Sequence, residues 1–255
     1  MNRLSPKKSV KDFFLFLANV IDEIWNLKSN RQVSNVVVIR QILFTGYEAL
    51  PLIGFIALAI GGLVIMQGYA LLDNFGQGIW VHIILVRIVI GELSGIITAL
   101  VVIARSGTAI STELGNMVVS REISLLKSMG ISPISYLAVS RILGVVIAMI
   151  VLTMYFNLIA ILGGWLFTQF FSPLEFNSFM NDLFSEMRFS LLLMSILKSV
   201  IFGLIIAITA SYEGMRVGRA STEVPQATIR TVVRSIFTVI IVNIVVTWIF
   251  WMLLI

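Results

Sequence analysis

Three charged side chains stand inside long apolar runs of the sequence: Arg87, Glu92 and Lys198. A charge at membrane depth is costly, so it usually faces a cavity or another charge and marks a functional position. Arg87 and Glu92 are five residues apart, about 140° around an ideal α-helix, and are poorly placed to pair. A contact between Glu92 and Lys198, on two different helices, is the better candidate. It would be either a structural neutralisation or part of a route for a polar group.

Other residue types that could do chemistry lack partners. Cysteine is absent, which excludes thiolate metal ligands and a cysteine nucleophile. His82 is the only histidine and has no acidic neighbour, so we interpret it as a plain residue at the outer end of a helix rather than a metal ligand. Ser106, Ser111 and Ser120 have no histidine partner, which disfavours a serine hydrolase. The sequence therefore predicts no catalytic residue and no metal site.

The composition indicates the environment of the chain. Of its 255 residues 58% are hydrophobic and 12% are charged, and the mean hydropathy is +1.02. Soluble domains carry about 25% charged residues, so much of this apolar surface must face lipid. The net charge of +5 does not favour nucleic-acid binding, because the basic residues flank apolar runs instead of forming one patch.

Five apolar stretches are long enough to cross a bilayer as helices, which takes about 20 residues. They cover approximately 49–72, 81–104, 137–171, 189–210 and 236–255. Pro51, Gly61, Gly62 and Gln67 predict that the first is kinked or partly re-entrant. The third is overlong, so it either tilts or leaves the core past Gly163 and Gly164 as a short outer helix.

The first 40 residues have a different pattern. Apolar residues recur there at helical spacing, which predicts an amphipathic helix lying on the membrane surface; they are Val10, Phe13, Phe14, Leu17, Val20, Ile21 and Ile24. Lys7, Lys8 and Lys11 suit anionic headgroups. Packing on a soluble partner is the alternative. Charges such as Asp22 and Glu23 interrupt the stretch, so we do not expect a cleavable signal peptide.

Lysine and arginine are distributed unevenly between the predicted loops. The N-terminal region and the segments after spans two and four are basic: Arg3, Lys7, Lys8, Lys11, Lys28, Arg31, Arg40, Arg105, Arg121, Lys127, Arg216, Arg219, Arg230 and Arg234. The other two loops contain only Arg188. This asymmetry predicts a cytoplasmic N-terminus and a periplasmic C-terminus. Five spans without an internal repeat predict that two copies pair.

The segment between spans two and three combines apolar periodicity with charges. Thr112 is a candidate cap of a short helix that Gly130 and Pro133 would end. Apolar residues share one face of it, with Glu113, Arg121, Glu122 and Lys127 between them. Such a helix either transmits force from a docked partner or simply lies on the headgroups, and periodicity leaves both open.

This segment resembles the MlaE (YrbE-type) family of ABC permeases. Residues 104–117 read A-R-x-G-x-A-x-x-x-E-x-G-x-M, and 129–133 read M-G-x-x-P. Gln67-Gly68-Tyr69, Glu92-Leu93, Lys198 to Phe202 and Arg230 to Val233 extend the similarity over most of residues 40–255. The chain departs from the family pattern at Gly91, Ser94 and Gly95, where the family has Arg, Gly and Pro, and at Arg121 and Ser132, where it has Glu and Asp.

The resemblance implies an all-α integral membrane protein of the bacterial inner membrane. It implies an N-terminal interfacial helix in 1–40 and a five-span permease domain in 41–255, with a coupling helix between spans two and three. The partners implied are a second copy, a cytoplasmic ABC ATPase, a periplasmic MCE-type lipid-binding protein and phospholipid, in a system that maintains outer-membrane lipid asymmetry. ATP and Mg would bind the ATPase, since this chain has no G-x-x-x-x-G-K-[ST] motif.

Two groups of candidate site residues follow from the resemblance and the patterns above. The residues expected to couple to the ATPase are Glu113, Gly115, Met117, Arg121, Glu122, Lys127, Gly130 and Pro133. Those expected along the lipid pathway are Leu63, Met66, Gln67, Arg87, Glu92 and Lys198. Two alternatives remain. A secondary transporter or channel would use Glu92 and Lys198 for protons or ions without an ATPase, and a membrane-embedded lipid enzyme would need a cluster of acids, histidine or metal ligands.

Overall fold

A computed structural model describes residues 6–25, 35–72, 83–171, 175–187, 189–218 and 220–254. Every regular element in these ranges is helical. Several predictions fall on residues outside them: His82, the outer loop 73–80, and the basic residues Arg3, Lys28, Arg31, Arg188 and Arg219.

The five predicted spans are confirmed: among the described residues, five helical stretches are long and apolar enough to cross a membrane. They are span one (Val36–Gly68), span two (Leu85–Val119), span three (Ile134–Phe170), span four (Phe189–Met215) and span five (Glu223–Met252). Most extend beyond the predicted bounds. Apolar runs mark only the lipid-facing part of a helix, whereas backbone hydrogen bonding continues through polar residues at its ends.

Several spans are built from shorter helical pieces. Span one comprises Asn35–Gly46, a 3-10 turn at Tyr47–Ala49, and Leu50–Leu72. Span two comprises a π-helical segment (Leu85–Leu93), Ser94–Val102, a second π-helical segment (Ile103–Gly107) and Thr108–Val119. Span three comprises π-helical Ile134–Val139 and Ser140–Phe171. Span four is Phe189–Met215, and span five belongs to the helix Glu223–Leu254.

Within the described ranges, three further helices lie outside the spans. They are the N-terminal helix (Pro6–Trp25), the loop helix (Glu122–Ser128) and a helix at Phe176–Glu186. The helix of span three continues through Gly163 and Gly164 to Phe171 without a break. Pro51 stands in the first turn of Leu50–Leu72, directly after the 3-10 turn, and proline is tolerated in the first turn of a helix.

The predicted role of Thr112 is wrong. It stands inside the helix Thr108–Val119, and its hydroxyl lies 2.9 Å from that of Thr228 on span five. The segment is not one helix from Thr112 to Gly130. Span two ends at Val119, Arg121 adopts a left-handed φ of 64°, and the loop helix then begins. The break falls in a run of polar residues, where the sequence has no apolar periodicity whose interruption could indicate the end of a helix.

The chain divides into two compact units. Unit 1 comprises Met1–Thr45, Val102–Ile147 and Gly203–Thr238, and unit 2 comprises Gly46–Val101, Ala148–Phe202 and Val239–Ile255. Every residue predicted to couple to an ATPase belongs to unit 1, and every residue predicted along the lipid pathway belongs to unit 2. The two groups are therefore described separately below.

Glycines allow close helix packing within each unit. In unit 2, a Cβ on Gly61 would lie 2.0 Å from the carbonyl oxygen of Ala160, and one on Gly163 would lie 2.7 Å from that of Leu58. In unit 1, a Cβ on Gly214 would lie 2.8 Å from the carbonyl oxygen of Ser111. Small residues at crossings let membrane helices approach to backbone contact.

Candidate functional site

Glu92 stands in the π-helical segment that opens span two. Such segments are rare and occur often at functional sites. Beside it, Gly91 and Gly95 leave room for span four: a Cβ on Gly95 would lie 3.4 Å from the ring of Phe202 and 3.9 Å from the Cβ of Lys198. Gly95 thus lies in direct contact distance of span four beside Lys198.

Glu92 and Lys198 form the pair that the sequence predicts. The Nζ atom of Lys198 lies 2.6 Å from Oε2 of Glu92, and the side chain of Lys198 is only 1% exposed. The ammonium also donates to the hydroxyl of Thr247 at 2.8 Å and to the carbonyl of Gly91 at 3.4 Å. An ammonium has three donors, so this one is fully satisfied in the protein interior.

Span five supplies two contacts to Glu92 that the sequence analysis missed. The amide of Asn243 donates to Oε2 of Glu92 at 3.2 Å, and the hydroxyl of Thr247 donates to Oε1 at 3.0 Å. The two residues are four apart and so share one helix face. The available signal was a pair of polar residues at helical spacing within an otherwise apolar run.

An open cavity of about 480 Å³ borders this network in unit 2. Its lining combines a polar and an apolar part: Glu92, Asn243 and Thr247, with Ile244, Trp248, Trp251 and Met252. Glu92 keeps 29% of its side chain exposed, whereas Lys198 is enclosed. A molecule in the cavity therefore meets the carboxylate, amide and hydroxyl before it meets the ammonium.

The other predicted lipid-pathway residues do not line this cavity. Leu63, Met66 and Gln67 are exposed on span one, and Arg87 is exposed on span two. The expectation that Arg87 and Glu92 point about 140° apart assumes an α-helix and is wrong. The segment is π-helical, and a π-helix brings residues five apart close together. Among the described residues, however, Arg87 forms no ion pair, and its role in the pathway stays a prediction.

In unit 1, Glu113 is held by a residue of its own chain. A guanidinium nitrogen of Arg141 lies 2.9 Å from Oε1 of Glu113, and Arg141 also donates to the carbonyl of Leu137 at 3.0 Å. Gly115 is a packing residue: a Cβ there would lie 3.1 Å from Val217 and 3.2 Å from Val224. Met117 is half-buried. This end of span two is therefore rigidly seated in unit 1.

The loop helix presents the remaining candidate coupling residues. Arg121, Glu122 and Lys127 are exposed, and the hydroxyl of Ser120 donates to Glu122 at 2.8 Å. Gly130 ends the segment with a φ of 76°, a conformation that glycine adopts without steric cost, and Pro133 is buried. Exposed apolar residues, Leu125 and Met129, lie among these charges. In the single chain, the loop helix and the turns beside it therefore expose both charged and apolar side chains.

The N-terminal helix packs within unit 1. Rings of Phe13 and Phe16 lie 5.1 and 5.6 Å from that of Tyr212, and Glu23 accepts a hydrogen bond from Ser132 at 2.9 Å. An open cavity of about 420 Å³ adjoins these contacts, lined by Asp12, Leu15, Phe16, Asn19, Ile123, Lys127, Pro133, Ile134, Tyr212, Met215 and Arg216. The position of the N-terminal helix at a membrane surface stays a prediction.

In the part of the chain that the structure describes, five helices that are long and apolar enough to cross a membrane define a multi-pass membrane protein. The family model of the permease MlaE matches residues 38–249. The chain therefore belongs to the MlaE permease family and is an ABC transporter permease, which confirms the resemblance in residues 104–133.

Relatives of known sequence agree with this assignment. A probable ABC transporter permease protein of Rickettsia prowazekii is 28% identical over 84% of this chain and 83% of its own length. The intermembrane phospholipid transport system permease protein MlaE of Haemophilus influenzae is 28% identical over 82% of this chain and 80% of its own length. The chloroplastic protein trigalactosyldiacylglycerol 1 of Arabidopsis thaliana is 28% identical over 63% of this chain and 46% of its own length.

Proposed function

We propose that this chain is the membrane subunit of an ATP-driven transporter that moves phospholipids between the bacterial inner membrane and a periplasmic MCE-type lipid-binding protein. The observation that carries the proposal is the amphiphilic cavity beside Glu92 in a member of the MlaE permease family. The Haemophilus relative is named for intermembrane phospholipid transport, which supports the same substrate class.

The lining of the cavity suits a phospholipid. A phospholipid joins a charged headgroup to apolar chains, and the cavity joins Glu92, Asn243 and Thr247 to indole and aliphatic side chains. Binding sites of this kind are mostly apolar, with a few polar groups that fix orientation. In this proposal the exposed oxygens of Glu92 hold the headgroup, and Lys198 balances the charge of Glu92 from within the protein.

Span five supports a homodimer. Its most apolar window is only 17% buried in the single chain, compared with 39% or more in the other four spans. A second copy would cover part of this surface. Native mass measurement of the purified complex should show two copies, and full transport activity from a single copy would contradict this part of the proposal.

The loop helix is the proposed seat of a separate ABC ATPase, which binds ATP and Mg. Exposed charges on a short helix between two spans, interspersed with Leu125 and Met129, suit a protein interface with a polar rim. In the proposed orientation the N-terminus and this loop are cytoplasmic, the C-terminus is periplasmic, and the N-terminal helix lies at the inner-membrane surface.

The test is lipid transfer by the purified complex in liposomes that contain a fluorescent phospholipid. We expect transfer that requires ATP and stops when the ATPase is catalytically inactive. Transport of ions or protons without an ATPase would instead favour the secondary transporter. Turnover of lipid to a new product would favour the lipid enzyme, and either result would overturn the proposal.

A further inference from the structure

A buried carboxylate on span four holds two arginines of span five in unit 1. Glu213 is 1% exposed, and its Oε2 accepts a hydrogen bond from Nε of Arg230 at 2.9 Å. Its Oε1 accepts a hydrogen bond from Nη1 of Arg234. The arginines themselves are 42% and 44% exposed. Two guanidinium groups against one carboxylate leave one formal positive charge at the surface.

Most donors of this arginine pair remain available. A guanidinium has five N–H donors in a rigid fork, and within the described residues each arginine uses only one nitrogen, toward Glu213. Arg230 and Arg234 are four residues apart, so they are neighbours on one helix face. Fixing one edge of each guanidinium lowers the entropy lost when the other edge binds a phosphate.

The length of span five sets the depth of the pair. Trp248 and Trp251 are exposed near the end of the helix, and tryptophan is enriched where membranes meet water. Arg230 precedes Trp251 by 21 residues, which is about 32 Å along an α-helix. A hydrocarbon core is about 30 Å thick, so Arg230 stands near the opposite boundary, the level of lipid phosphates. Arg234 starts about 6 Å deeper along the helix and can reach that level through its long side chain.

Apolar side chains beside the pair distinguish a lipid from a soluble anion. Ile229, Val233 and Phe237 are all exposed next to Arg230 and Arg234 on the same helix. Acyl chains of a membrane lipid would cover these residues while its phosphate meets the guanidinium groups. A soluble phosphate would leave them uncovered.

We propose that Arg230 and Arg234, aligned by Glu213, bind the headgroup phosphate of an anionic phospholipid from the surrounding leaflet. This site shares no residue with the Glu92 cavity. In the proposed orientation it takes lipid from the inner leaflet. Charge-assisted hydrogen bonds from a guanidinium fork to phosphate are strong and directional. Because the arginine pair leaves one net positive charge, it repels the ammonium group of a zwitterionic lipid, so the site favours anionic headgroups.

The experiment uses the full transporter complex in nanodiscs of phosphatidylcholine and phosphatidylglycerol. The complex is released into detergent, and native mass spectrometry counts the lipids that it retains. The triple variant E213Q/R230Q/R234Q removes both signs of charge, so it leaves no unpaired ion in the core. We expect it to retain phosphatidylglycerol at least about tenfold less than the native protein, with phosphatidylcholine unchanged.

The matched control is R40Q. Arg40 is an exposed arginine near the start of span one and forms no ion pair among the described residues. Its variant should retain phosphatidylglycerol like the native protein. An equal loss in R40Q and in the triple variant would mean a general attraction to basic surfaces, which overturns the site.

Two further arms test the geometry and the source of the phosphate. The double variant R230K/R234K keeps the charge but loses the fork, so we expect intermediate retention; full retention would overturn the role of the aligned guanidinium groups. Added inorganic phosphate should not displace the lipid. Displacement at equal phosphate would assign the site to a soluble anion instead. Unchanged lipid retention in a folded triple variant would overturn the proposal.

Discussion

Arg141 and Glu113 join the start of span three to the end of span two through an ion pair of 2.9 Å. The arginine is 6% exposed and the glutamate 60% exposed, so a buried cation fixes a carboxylate at the surface. Glu113 can therefore contribute to a partner interface without first losing side-chain entropy. A substitution of Glu113 should therefore affect the stability of unit 1 as well as any docking.

Because of this ion pair, two charge reversals in the proposed ATPase seat should differ in their effect on stability. Glu113→Lys places a cation beside buried Arg141, and we expect a loss of about 1 kcal/mol of stability or more, less than for a fully enclosed pair because Glu113 is exposed. Glu122→Lys should leave stability unchanged, since Glu122 is exposed on the loop helix. Thermal unfolding in detergent measures the stability of both variants. Copurification measures their binding to the ATPase, which we expect both charge reversals to weaken. If Glu122→Lys leaves ATPase binding and coupled turnover unchanged, the loop helix is not the coupling element.

The turn at Arg121 offers a test of local strain. Its φ of 64° is unfavourable for a residue with a Cβ, by about 1 kcal/mol, and glycine adopts it freely. Arg121→Gly should therefore raise the stability of the turn, whereas Arg121→Val should lower it. Hydrogen exchange of the loop-helix amides measures both variants. Equal protection in the two would show that the left-handed turn carries no strain.

A close crossing in unit 2 predicts the effect of a single methyl group. A Cβ on Gly61 would lie 2.0 Å from the carbonyl oxygen of Ala160, so Gly61→Ala must separate the two helices, at a cost of about 1–3 kcal/mol. Gly46→Ala is the control, because its Cβ would meet only Ala148 at 3.9 Å. Unfolding in denaturing detergent should rank Gly61→Ala well below Gly46→Ala. Equal stabilities would mean that the crossing is looser than this geometry.

The sequence predicts this fold well where one physical signal dominates. Long apolar runs locate all five spans, since nothing else in the sequence competes with the burial of such runs in lipid. Charges at membrane depth are rare, so the pairing of Glu92 with Lys198 could be predicted from the sequence. Asn243 and Thr247 were missed because uncharged polar residues are common in membrane helices. The partner of Glu113 was missed because Arg141 is 28 residues away in sequence, and only the packing of spans two and three brings them together.

The Glu92 network allows structure and transport to be separated. Glu92→Gln leaves an ammonium that is 1% exposed with neutral acceptors alone, and breaking a buried pair from one side costs about 3–5 kcal/mol. Lys198→Met added to Glu92→Gln removes that buried charge, so the double variant should recover most of the lost stability. Thr247 can still donate to the amide oxygen of Gln at position 92.

Lipid transfer by the same two variants then assigns the role of Glu92. If its exposed oxygens hold the headgroup, the double variant should be folded, inserted and dimeric but impaired in ATP-dependent transfer of phospholipid. Unfolding and native mass measurements supply the control for folding and assembly. Transfer restored to the native rate would mean that Glu92 and Lys198 only neutralise each other, because a site without its carboxylate would then move lipid equally well. The headgroup contact would in that case have to come from other residues of the cavity, with Asn243 and Thr247 the next to substitute.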